Sequence, residues 1–163
     1  MRIRTKAAVV AGVLAVDAAI HLYWATGATW PARSPEALSQ AVLNARVPFT
    51  PVVLVPLAGV LLSASGLLLA RANGRGGRLG ALGSGAVGAG VALRGAAGLV
   101  WATGAGTDTG APFYWLNLLA YTPACLLLAP LALAVAVARG ASDPGTDSRT
   151  DRTGPRAARL SAR

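Results

Sequence analysis

Asp17, His21 and Trp24 are the residues whose types and spacing could do chemistry within an apolar run, Ala7 to Thr26. They lie four and three residues apart, so a helix sets all three on one face. Ionisable groups inside such a run are costly, so they face a bundle interior and need partners. Arg94 is the other charge set within an apolar run, and it is the expected partner of Asp17. Asn117, Tyr121 and Cys125 recur at four-residue spacing and can face the same site.

Two kinds of chemistry fit this set. In the first, a buried Asp17–Arg94 pair and its hydrogen-bonding neighbours hold helices in register. Pairing offsets much of the cost of an isolated buried charge. In the second, the cluster forms an outward-facing pocket for a small polar or anionic ligand. A variant of that reading is a transporter-like or redox component that handles protons or a small anion through Asp17, His21 and Arg94. The sequence carries no Gly-rich phosphate loop, metal-ligand cluster or nucleophile elbow. No catalytic residue is assigned on that basis, and neither metal nor cofactor is expected. One His, one Cys and the initiator Met cannot supply two haem ligands of the histidine type from one chain. A single cysteine also excludes an internal disulfide.

The elements that must position these residues are read from hydropathy. Of 163 residues, 54% are hydrophobic and 13% charged, with mean hydropathy +0.54. A soluble domain carries charge nearer about a quarter. The apolar residues come in long blocks, the signature of membrane spans. The expected fold is an all-α, integral membrane four-helix bundle with spans of about 7–26, 51–70, 79–101 and 115–138. Residues 139–163, rich in Arg, Ser, Thr, Asp, Gly and Pro, are expected to be a disordered tail.

Within this frame, Met1–Lys6 is a basic flank to an uncleaved first span rather than the start of a signal peptide. Ser34-Pro35-Glu36 reads as a helix start, with a short surface helix from Glu36 to Asn44. Pro56 should kink the second span or mark its true start. The third span is rich in glycine. Gly80, Ser84, Gly88, Ala92 and Ala96 form a small-xxx-small ladder that lets a neighbouring helix approach closely. Gly90 and Gly98 flank Arg94 at minus and plus four.

The net charge of +9 does not point to nucleic acid, because the basic residues flank apolar runs and set orientation. With the N-terminus inside, twelve basic residues fall on the cytoplasmic side. Only Arg33 and Arg46 fall outside. Both termini are therefore expected in the cytoplasm, in a bacterial inner membrane. The partner is the lipid bilayer, with a homo-oligomer as an option. Trp24, Trp30, Trp101 and Trp115, with Tyr23, Phe49, Phe113 and Tyr114, gather at the outer boundary. Interfacial anchoring explains most of them, and an aromatic-lined outer pocket is the alternative. At about 1.5 Å per residue, His21, Arg94 and Tyr121 share one depth below that boundary, with Asp17 slightly deeper.

The same residues form a recognisable pattern. His21-Leu-Tyr-Trp24-Ala25-Thr-Gly27-Ala28 resembles the His-x-x-Trp-Ala-x-Gly-Gly motif of a bacterial membrane family, domain of unknown function 3995. Leu93-Arg94-Gly95 and Asn117-x-x-x-Tyr121-Thr122-Pro123-Ala124-Cys125-Leu126 resemble its later motifs. Ala28 replaces a glycine, and Asn117 stands where the family motif has an acid. The likeness covers the four spans and implies a four-helix integral membrane protein. It implies no activity.

Overall fold

The computed structural model describes residues 1–138, and the expected disordered tail lies outside them. Every regular element among the described residues is a helix, and there is no strand among them. The helices are α1 (Ile3–Ala25), α2 (Pro35–Leu43), α3 (Pro51–Ala72), α4 (Gly77–Ala102), α5 (Pro112–Leu116) and α6 (Thr122–Val137). A π-helical turn, Asn117–Tyr121, joins α5 to α6. Counting α5 to α6 as one, four helices among the described residues are long and apolar enough to cross a membrane.

These helices outrun the apolar runs that define them. Arg4 and Lys6 lie inside α1, and Arg71 lies inside α3. Backbone hydrogen bonding continues past the point where side chains turn polar, so hydropathy underestimates helix length. α3 starts at Pro51 and runs through Pro56 without a second start. Pro51 suits the first helical turn because its missing N–H would have no partner there. The surface helix is as expected: the Ser34 hydroxyl accepts from Ala37 N at 3.2 Å, and Asn44 ends α2 in the left-handed conformation, φ 55°.

The long helices form two close pairs, α1 with α3 and α4 with α6. The pairs meet most tightly at the end that holds the N-terminus, called basal below. There Ala7, Val10, Leu68, Ala132 and Val135 form one buried cluster, with Val87 of α4 packed against it. Ser65 adds a polar tie, its hydroxyl donating to the Ala11 carbonyl at 3.0 Å. Arg71 closes the basal rim by donating to the carbonyls of Ala136 (3.3 Å) and Ala138 at the end of α6. A cation there also suits the negative end of the helix dipole.

The α4–α6 contact depends on glycine. A Cβ on Gly88 would come within 3.1 Å of the Leu133 main-chain nitrogen, and one on Gly95 would lie 3.3 Å from Cys125 Cβ. The buried stripe on α4 is Gly80, Ser84, Gly88, Gly95 and Gly98. It departs from the expected ladder after Gly88, since Ala92 is half-buried and Ala96 exposed. A four-residue step advances roughly 40° around an α-helix, so a long ladder walks off the contact face. A seven-residue step, Gly88 to Gly95, returns to it.

Candidate functional site

The end opposite the basal cluster is built differently. α2 lies across it, pinned by a second apolar cluster of Trp24, Leu38 and Leu54. Trp24 Nε1 donates to the Trp30 carbonyl at 2.9 Å, tying α1 to the loop that leads into α2. Ser39 fixes the far side of α2, its hydroxyl donating to the Ala45 carbonyl at 2.6 Å and accepting from Val47 N at 2.8 Å. Asn44 reaches across to the α4–α5 loop and donates to the Gly106 carbonyl at 3.0 Å.

Beneath α2 lies a cavity of about 280 Å³. Asp17, His21 and Trp24 line it from α1, and Arg94 from α4. Tyr121 and Cys125 line it from the π turn and α6, while Val42, Leu43, Leu57 and Leu61 supply apolar wall. Six of the seven residues singled out in the sequence therefore share one cavity. A second cavity, of about 310 Å³, lies between α2 and α5, and Trp24, Val42 and Tyr121 border both.

The seventh residue, Asn117, is fully buried behind Arg94. Its Oδ1 accepts from Arg94 Nη1 at 3.0 Å, and its Nδ2 donates to the Gly98 carbonyl at 3.0 Å. The π turn explains why Asn117 does not line the cavity with Tyr121 and Cys125. Thr122 N bonds to the Asn117 carbonyl, a five-residue closure in place of four. Pro123, having no N–H, cannot bond back to Leu119, so the α pattern is interrupted here. The wider turn breaks the strict four-residue face.

Arg94 is held on several sides. Its guanidinium carbon lies 5.0 Å from the Trp101 ring centre and 5.5 Å from that of Tyr121. Both distances suit cation–π attraction. Trp101 is in turn packed edge-on against buried Phe113, 5.2 Å between ring centres. The expected direct pair with Asp17 is not formed. Among the described residues, the one ion pair within 4.0 Å is His21 with Asp17. Asp17 and Arg94 stand in the same cavity but on different helices of different close pairs, α1 and α4, so the space between the pairs separates them.

The Asp17–His21 pair is local. His21 Nδ1 lies 2.8 Å from the Asp17 carbonyl oxygen and 3.4 Å from its Oδ1. A carbonyl can only accept, so Nδ1 carries the hydrogen. The ring also packs edge-on against Trp24 at 5.4 Å. The His21 side chain is 13% exposed and that of Asp17 49%, so the carboxylate is the more open of the two.

The aromatic residues divide. Trp30, Trp115 and Tyr23 are exposed, as interfacial anchors would be, whereas Trp24 and Phe113 are buried. Sequence reasoning missed Trp101 as a partner of Arg94 and missed α2 as part of the cavity wall. Trp101 lies seven residues after Arg94, two helical turns along the same face, and that spacing was the available signal. Among the described residues no group of three His, Cys, Asp or Glu could hold a metal ion.

No curated protein and no solved structure matches the chain. Residues 14–132 match the family described as "Protein of unknown function (DUF3995)". That stretch takes in the whole cavity lining and most of every long helix, so the chain belongs to this family.

Proposed function

We propose that the protein is a multi-pass membrane protein that binds a small ligand through an anionic group at Arg94. The observation that carries this reading is the state of the guanidinium. It lines the cavity, and among the described residues Asn117 is its one hydrogen-bond partner and no carboxylate oxygen lies within 4.0 Å of it. Arginine keeps its charge and offers five donors. In a low-dielectric setting, a ligand anion is the natural complement to the donors left over.

The basic asymmetry supports the orientation: a bacterial cytoplasmic membrane, with the N-terminus and the basal rim facing the cytoplasm and α2 facing out. In a Cys125→Ala background, Thr107→Cys should react with an impermeant maleimide on intact cells, and Asn73→Cys should not. The reverse labelling would overturn the orientation.

A second reading has its own support. The Arg94–Asn117–Gly98 chain of hydrogen bonds is itself a lock between α4 and the π turn. Leu61→Trp separates the two, because it fills the cavity without touching that lock. If the cavity binds an anion, hexanoate or phosphate raises the melting temperature of the purified protein, and both Leu61→Trp and Arg94→Gln abolish the shift. If neither anion shifts the wild-type protein, the ligand reading falls and the lock stands alone.

A further inference from the structure

The two charges of the cavity, Arg94 on α4 and Asp17 on α1, face one space without touching each other. Opposite charges in a low-dielectric enclosure attract strongly, so direct contact is the arrangement expected when nothing else is to be bound. Here each charge is instead braced separately. Arg94 is held by Asn117, Trp101 and Tyr121. Asp17 sits beside His21, whose Nδ1–H is directed to the Asp17 main-chain carbonyl at 2.8 Å and lies 3.4 Å from the carboxylate. The carboxylate, which lines the cavity and is half exposed, therefore keeps acceptor capacity. Leu57 and Leu61 give the space between an apolar side.

We propose that the ligand is a small zwitterion, its anionic group on Arg94 and its ammonium on Asp17, with apolar atoms against Leu57 and Leu61. This rests on the reading of Arg94 as an anion site and adds the second charge. An ammonium beside Asp17 and an anionic group beside Arg94 would each meet a group of opposite charge, so one ligand completes both ends of the cavity. Two sources share this chemistry: a free amino acid, and a phospholipid headgroup with a terminal ammonium. A lipid would enter with its acyl chains remaining in the bilayer.

Binding to the purified full chain in detergent, at fixed salt, tests the proposal with two sets of probes. The free set is 6-aminohexanoate, hexanoate and hexylamine. The lipid set is dioctanoyl phosphatidylethanolamine and dioctanoyl phosphatidylglycerol. In one set the zwitterion should bind at least about tenfold tighter than its singly charged counterpart, as a second charge-assisted contact supplies. The set that shows the preference identifies the source. Asp17→Asn should remove the preference and leave the affinity of the anion intact, while Arg94→Gln should weaken zwitterion and anion alike. Equal binding of zwitterion and anion, or a preference that survives Asp17→Asn, overturns the zwitterion and leaves the anion site standing. Absence of Arg94-dependent binding by every probe overturns both.

Discussion

The two ends of the bundle solve the same packing problem in opposite ways. At the basal end, small and aliphatic side chains from the four long helices meet in one buried cluster, and the polar ties there are to main chain. At the α2 end the two helix pairs are held apart. The space between them is walled by two charges, aromatic rings and a histidine, and roofed by a short helix. Side chains of alanine and glycine size allow helices to close. Ringed and charged ones at the same level hold them open, since each needs its own partner before the helices can approach. The difference shows that the α2 half is not a loosely packed copy of the basal one.

The largest effect should come from the residue that ties the open end together. Asn117→Leu removes the acceptor of Arg94 and the donor to Gly98, and leaves a guanidinium without its hydrogen bond. The expected cost is about 3 kcal/mol, as for a buried hydrogen bond to a charged group. Melting in detergent measures it. A double-mutant cycle of Asn117→Leu with Arg94→Leu should show coupling of about 1 kcal/mol or more, and a cycle of Asp17→Asn with Arg94→Leu should show less. A larger coupling in the Asp17 cycle would restore the direct pair and erase the distinction between the two ends.

That pair is also where the sequence misleads. Charge identity and depth place Asp17 and Arg94 together, and they do share a cavity. Depth along a helix is legible because rise per residue is constant. Distance across a bundle is not, because it depends on which helices pair. Nothing in the spans says that α1 pairs with α3 and α4 with α6, leaving the two charges on different pairs. The four long helices, the cap of α2 and the first half of the glycine face, Gly80 to Gly88, were legible, since each is written in local composition. Asn117 was legible as a member of a four-residue face with Tyr121 and Cys125, and as a departure from a family motif. Its burial against Arg94 follows from a π turn, and only the chemistry of Pro123 hints at that turn.

Gly88 tests the closed end. Gly88→Val puts branched carbons where the Leu133 side chain and main-chain nitrogen already lie. α4 and α6 must then separate, at an expected cost of about 2 kcal/mol for overpacking. Gly90→Val is the control, because a Cβ there meets nothing within 4 Å. Equal melting temperatures for the two variants would mean that the close approach of α4 to α6 does not exist.

The smallest effect belongs to the roof. Glu36 lies in the first turn of α2, where a negative charge suits the helix N-terminus. Its own main-chain N–H, then the Ser34 hydroxyl, hold its carboxyl below the usual carboxylate range. A depressed value means that the ionised form belongs to the folded roof. Its contribution is therefore fully present above the ordinary glutamate value, about 4.3, and is lost as pH falls through the lower folded value. The side chain is fully exposed, so solvent and salt screen the effect. Ser34→Ala removes the cap itself and should weaken α2 by about 1 kcal/mol. Amide hydrogen exchange at Ala37 and Leu38 reads both changes locally. Exchange there should quicken in Ser34→Ala at neutral pH. In the wild-type chain, protection should decline below about pH 4, and Glu36→Gln should flatten that decline. If Ser34→Ala also quickens exchange at Leu68 in the basal cluster, the two ends melt as one unit and the contrast between them is only geometric.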